Sequence, residues 1–317
     1  MNKNTLNIID CTFRDGGYYT DWFFEKNLVE KTLKVLSKLP IDVVEIGFRQ
    51  FKGEKNYGEY AYSTEKFLNS LAIPGNLKIA VMVETSHLNL FDETKQRKLF
   101  VSKVQSHIAM IRVCAYFKDF EKAKFICGYL KEIGYATTIN IIHISKHSLS
   151  EIKEKMKHLK DFDLDVIYFA DTFGNLVPET VKKIAEIFKN HTDIPIGFHS
   201  HENRGLALAN VLCAIDSGVE WVDGTLSGMG RGAGNVSTEA LLIEMMKLIN
   251  KDIGISELLE LLQCYFYPLR EECGWGYTSY AHYASVKNIH PFLVQKILKN
   301  KNLKPKEIFM GIDECLS

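Results

Sequence analysis

Eight short apolar runs rich in β-branched residues fall at 6–12, 43–48, 77–83, 108–114, 137–142, 166–170, 194–198 and 219–224, and stretches with helical spacing separate most of them. The helical stretches are 25–39, 95–103, 120–133, 148–159, 178–189, 205–217 and 238–249. Their apolar residues recur at i, i+3, i+4 and i+7, as in Val181, Ile184, Ala185 and Phe188. Short apolar runs alternating with helices are the sequence form of βα units on a parallel sheet. An open doubly wound sheet usually carries about five to seven strands and a glycine-rich first turn. Here the first turn is Arg14-Asp15-Gly16-Gly17, and eight runs predict an α/β fold of the (β/α)8 TIM-barrel type.

A barrel needs about 250 residues, so a chain of 317 has a remainder. The reading places a catalytic barrel over 1–250 and a C-terminal helical extension over 251–317, expected as three helices with aromatic-rich joints packed on the barrel. Two apolar stretches of that extension, 258–262 and 292–294, need cover, either from the barrel or from a second copy in a homo-oligomer. Lys+Arg and Asp+Glu are 39 each, so no excess charge points to nucleic acid or an anionic membrane. No apolar run approaches 18 residues and the first residues lack a leader pattern, which predicts a cytoplasmic protein. The seven cysteines show no C-x-x-C pair, and a disulfide framework or a cysteine zinc site is not expected.

In a barrel of this kind chemistry sits at the C-terminal ends of the strands. His199 and His201 are the sharpest signal, because residues two apart on a strand share a face and both imidazoles can converge inside the mouth. Two imidazoles and one carboxylate suit a divalent metal with positions left open for substrate oxygens. Asp15 is the carboxylate chosen, since the first strand closes the barrel near the seventh. The loop 228–235 is dense in glycine; its backbone N–H groups, Gly230 among them, can approach a carboxylate or phosphate, with Asn235 supplying an oxygen near the metal. Rim flexibility is the plainer alternative for that loop. Arg14 is suited to an enolate oxygen because its charge is permanent. Glu45 and Asp171 either orient ligands or pair with Arg14 and Arg112. His143 ends the fifth strand and is a pocket candidate, whereas the remaining histidines are expected at the surface. Trp275, Tyr277 and Tyr280 read first as packing, with Tyr277 kept as a substrate contact.

At these residues the chain resembles the DRE-TIM metallolyases, the HMG-CoA-lyase-like family, and especially their 4-hydroxy-2-oxovalerate aldolase branch. The likeness rests on Asp10-x-Thr12-x-Arg14-Asp15-Gly16, Val44-Glu45-Ile46-Gly47, Asp171-Thr172-x-Gly174, the segment 197–207 around His199 and His201, and the loop 228–235. The resemblance implies a barrel holding Mn or Mg, with zinc or cobalt as alternatives, on Asp15, His199 and His201, with Asn235 as a further ligand. It also implies that Arg14 stabilises an enolate. Tyr18 stands where oxovalerate aldolases place the histidine that handles the hydroxyl proton. A phenol of ordinary pKa about 10 serves there as an acid, and as a base only if its pKa is lowered. The expected function is metal-dependent cleavage or formation of a C–C bond through a pyruvate-type enolate of a small 2-oxo acid. The alternatives are a Claisen-type acyltransferase using acyl-CoA and, from another class, a binding or scaffolding barrel. Similar aldolases pair with an acylating dehydrogenase; no residue pattern here tests such pairing.

Overall fold

In the computed structural model, which describes residues 6–87, 98–249 and 252–315, eight parallel strands close into a barrel in chain order. They are β1 (Asn7–Asp10), β2 (Val43–Phe48), β3 (Lys78–Glu84), β4 (Ile108–Ala115), β5 (Ala136–Ile141), β6 (Val166–Asp171), β7 (Ile196–Ser200) and β8 (Trp221–Gly224). β8 pairs with β1 and shuts the sheet on itself. Two departures from the expected bounds bear on the site. β1 stops at Asp10 because the Asp10 carboxylate accepts the Thr12 N–H at 3.1 Å and bends the chain into the helical turn Thr12–Asp15. β7 starts two residues late, after Pro195, which has no N–H to give a ladder, and runs on to Ser200, so it includes His199.

Helices Lys26–Leu36, Phe120–Glu132, Leu149–Met156, Pro178–Lys189, Ala207–Asp216 and Thr238–Ile249 surround the sheet. Pro178 sits in the first turn of its helix, where a missing N–H costs nothing, and Val181, Ile184, Ala185 and Phe188 face the core. The helix expected over 95–103 lies partly outside the described residues, and from Phe100 the chain is irregular up to the single turn Lys103–Gln105. No described helix is long and apolar enough to cross a membrane.

Strand alternation sorts the barrel interior into levels. Ile9, Val43, Ala80, Met110, Val166 and Tyr168 fill the floor. Two residues further along their strands, the inward positions become Glu45 and Arg112, both fully buried. The Arg112 guanidinium lies over the Tyr168 ring, 4.6 Å from its centroid. The apolar floor therefore carries a charged level toward the C-terminal end.

The predicted boundary at 250 and 251 lies outside the described residues. Beyond it are four helical segments rather than three. The first bends through a π turn, Leu262–Phe266, which joins Ser256–Leu261 to Tyr267–Cys273. Ser279–Val286, Pro291–Leu298 and Pro305–Glu314 follow. Leu258, Leu261, Leu262, Phe266 and Trp275 join the core shared with the barrel helices, so the first apolar stretch is covered by its own chain. In the second stretch Val294 is buried while Phe292 and Leu293 stay largely exposed. Phe266 is fully buried and Leu259 is 42% exposed. Phe266→Ala is expected to cost about 3–5 kcal/mol, read as a lower urea midpoint, whereas Leu259→Ala should stay within about 0.5 kcal/mol of wild type.

Candidate metal and substrate site

The charged level of the barrel closes into a ring. Arg14 Nε donates to Glu45 Oε2 at 2.7 Å, and Arg112 meets the same oxygen at 3.0 Å. Arg112 also donates to Asp223 Oδ2 at 2.6 Å, and that oxygen lies 2.9 Å from His199 Nδ1. His199 Nε2 is 3.3 Å from Asp15 Oδ2, and Asp15 Oδ1 returns to Arg14 at 2.9 Å. Every member of the ring is buried.

Its far side, Asp15 with His199 and His201, brings three ligand atoms within 4.8 Å of one another. The Nδ1 of His199 is engaged by Asp223, and that of His201 by the Gly234 carbonyl at 3.1 Å. With Nδ1 of each ring held by these acceptors, Nε2 is the atom each imidazole can offer a metal; in His199 it meets Asp15 Oδ2 at 3.3 Å. Burial opposes ionisation of Asp15, but Arg14 and His199 outweigh it and hold the carboxyl well below its ordinary range. Burial and the neighbouring His199 keep His201 neutral, its pKa well below normal. Burial alone would lower His199, yet its contacts with Asp15 and Asp223 raise it, so the surrounding acids draw positive charge to this point. Asn235 Nδ2 donates to Asp15 Oδ2 at 2.7 Å, and its buried Oδ1 has no hydrogen-bond partner. A divalent cation fits this donor set: the ring sets three carboxylates against two guanidiniums, and the imidazoles are preset as ligands. A second grouping, Cys11 with His199 and Asp223, suits one less well. Arg112 already occupies Asp223 there, and burial pushes the Cys11 thiol well up.

Above the ring opens a cavity of about 470 Å³, whose wall includes Arg14, Tyr18, His143, His199, His201 and Arg231. His143 stands edge-on to Tyr116 and Phe173, and burial, helped by Lys146 and Arg231, lowers its pKa to about 4. Tyr18 lies beneath the Arg231 guanidinium, 4.3 Å from ring centroid to carbon. Burial raises its phenol above the ordinary value, against the pull of Arg231.

Five sequence expectations need correction. Glu45 is buried beneath Arg14 and off the cavity wall, so it positions Arg14 and Arg112 rather than meeting substrate. Asp171 is also off the wall: its carboxylate accepts the N–H groups of Asn175 and Leu176 and ties the loop after β6. Tyr277 is 52% exposed and bonds His282, because Trp275 takes the inward place of that segment and donates to the Ser227 carbonyl. His290, expected at the surface, lines the cavity with Phe292, since the extension folds across the mouth. Gly230 is not on the wall either; a Cβ there would lie 2.4 Å from Asn235 Nδ2, so the glycine makes room for Asn235. Sequence reasoning passed over Arg231, although a lone cation between two glycines after the last strand was a readable signal.

The HMGL-like family model matches residues 5–264. A 4-hydroxy-2-oxovalerate aldolase of Pelotomaculum thermopropionicum is 29% identical over 247 residues, 76% of this chain and 70% of that protein. An oxaloacetate decarboxylase of Mycobacterium tuberculosis is 25% identical over 242 residues, again 76% and 70%. Among solved structures, the N-terminal domain of a candidate aldolase from Bacteroides vulgatus superposes with a TM-score of 0.86 at 29% identity, covering 96% of this chain and 100% of that one. The carboxyl transferase domain of Rhizobium etli pyruvate carboxylase, with pyruvate, reaches 0.71 at 16% identity, covering 99% and 55%, which is a likeness of fold.

Asp223→Asn removes the carboxylate that orients His199. It is expected to weaken Mn binding about 10–100-fold, measured by calorimetry on dialysed protein. Burial lifts the pKa of Asp171 to about 7 from 3.8, against its backbone hydrogen bonds. The folded state therefore holds a proton that the unfolded chain releases, and stability falls as pH rises through that window. In urea unfolding between pH 5 and 8, Asp171→Asn should show a shallower decline than wild type.

Proposed function

The chain belongs to the HMGL-like family, and from that premise we propose that it is a divalent-metal-dependent aldolase that cleaves or forms the C3–C4 bond of a 4-hydroxy-2-oxo acid. The observation that carries this reading is the buried group of Asp15, His199 and His201, whose ligand atoms lie within 4.8 Å of one another, at the foot of an open cavity beside Arg14. Asp15, His199 and His201 would hold the metal, with Asn235 Oδ1 as a further donor. Mn or Mg, when bound, would polarise the 2-oxo group and make the adjacent carbon more acidic.

Arg14 is fixed along one edge by Asp15 and Glu45, at 2.9 and 2.7 Å, and faces the cavity with what remains. A donor so placed stabilises the oxyanion at C2 as the C3–C4 bond breaks and its electron pair moves into the enolate. The C4 hydroxyl must give up its proton as the aldehyde forms. Tyr18 keeps its own proton at neutral pH, since burial raises its pKa; it serves as a donor to the enolate. His143 is neutral near pH 7, with a pKa of about 4, and is the acceptor assigned to the hydroxyl proton. Burial of the ring beneath the cavity keeps water from Arg14 and Glu45.

Acyl transfer to a 2-oxo acid would use the same groups, but the named relatives, aldolases and a decarboxylase, favour bond cleavage. A scaffolding role would suit a mouth filled by the C-terminal aromatics; the mouth instead holds a cavity of about 470 Å³.

With 4-hydroxy-2-oxovalerate as test substrate, His199→Ala and His201→Ala should lose bound metal by elemental analysis and all measurable pyruvate release. Arg14→Gln should retain metal and lose about 10²–10³-fold in kcat. Wild-type turnover in fully demetallated protein would refute the scheme.

A further inference from the structure

Resting on the aldolase reading, we propose that the preferred substrates are 2-oxo acids with a second anionic group at the far end, held by Arg231 with His290 beside it. Arg14, the other guanidinium on the wall, is tied to Asp15 and Glu45 and is assigned to the C2 oxygen. Arg231 has no ion pair among the described residues; its directed contact is with the face of Tyr18, 4.3 Å away. A half-buried, always-charged fork that stacks on a tyrosine and forms no ion pair among the described residues can take a carboxylate or phosphate.

Its place is built rather than accidental. Gly232, at φ +63°, sits where a Cβ would meet Pro291 of the extension at 2.9 Å. Tyr19 donates to the Gly232 carbonyl at 2.9 Å, and Gln295 donates to the Tyr18 carbonyl, also at 2.9 Å. The loop, the stacked tyrosine and the extension therefore lock one another, and little conformational entropy is lost when an anion docks. The ring of His290 lies 5.5 Å from that of His143 on the same wall. After burial, Arg231 is the strongest influence lowering the pKa of His290, to about 3, with Lys146 acting in the same sense. Glu84 is the acid on this wall and, with Asp15, acts on Arg231 from beyond ion-pair distance, while Arg231 and the nearby Lys146 both act as cations on His290. A neutral aldehyde half would leave Arg231 without an ion-pair partner.

The far anion can be the C4 carboxylate of an oxaloacetate-like acid, or a carboxylate or phosphate beyond the hydroxyl carbon. Binding of 2-oxoglutarate and of 2-oxopentanoate, its near-isosteric monoanion, to the Mn-loaded enzyme is compared by calorimetry. Wild type is expected to bind 2-oxoglutarate at least about tenfold tighter. Arg231→Gln should erase that advantage and Arg231→Lys should restore part of it, with thermal melts confirming that both variants fold. Equal binding of the two acids by wild type would overturn the proposal without any variant. So would an equal loss for both in Arg231→Gln, which would place the shared C1 carboxylate on Arg231. Product assays then separate the sources: decarboxylation of oxaloacetate, or condensation of pyruvate with glyoxylate or with glyceraldehyde 3-phosphate. Acetaldehyde outperforming both charged acceptors, with oxaloacetate inert, counts against the proposal. Exchange of pyruvate methyl protons with D₂O reports on the aldolase reading separately: its absence would sink that reading while leaving the binding comparison intact.

Discussion

Arg112 is the hinge on which the site depends. Its guanidinium rests on the Tyr168 ring from the barrel floor and reaches both Glu45 and Asp223. Glu45 then fixes Arg14, and Asp223 fixes His199, so the two halves of the site take their position from one buried cation. Such a ring is expensive in desolvation, and removing a single member leaves an uncompensated charge, worth about 3–5 kcal/mol. What the arrangement supplies is position. Each of the bridging carboxylates serves two partners through one oxygen, so neither Arg14 nor His199 can turn without disturbing the other. The unequal count of acids and guanidiniums leaves the side of the ring that holds Asp15, His199 and His201 attractive to a cation.

The C-terminal helices complete the mouth. Their first half is anchored by apolar burial against the barrel helices, with Leu258, Leu262 and Phe266 fully enclosed. Their second half crosses the strand ends, where Ser285 bonds the Gly174 carbonyl at 2.9 Å and His290 and Phe292 reach the cavity. The cavity wall thus draws on two pieces of the chain: strand ends and the loop after β8, which carries Arg231, and the extension, which adds His290 and Phe292.

How much was legible follows from the range of each interaction. The barrel was, because alternation and helical spacing are local signals repeated many times, and the errors fell where a single residue intervenes: Asp10 capping a turn, Pro195 refusing a ladder bond. The histidine pair was legible for the same reason, two residues apart on a strand. Glu45 and Asp171 were visible as acids at strand ends, but whether such an acid faces the cavity or a neighbouring backbone depends on partners far along the chain. Arg112 and Asp223, separated by 111 residues, gave no sign of meeting. Tyr277 and His290 were misjudged because the extension's path over the mouth is decided by packing, and its aromatic residues carry no periodic mark of which side is inward.

The amino-acid order by itself determined that eight strands would close with their polar ends on one rim, because period-two and period-3.6 burial leaves few other ways to hide the apolar faces. It also determined that two imidazoles and an aspartate would share that rim. Only the tertiary structure decided which acid joined the histidine pair and which became props, and that Arg231 would have no ion pair among the described residues beside His290. Those outcomes depend on contacts between residues hundreds of positions apart, where burial removes water and makes the direction of each polar atom consequential.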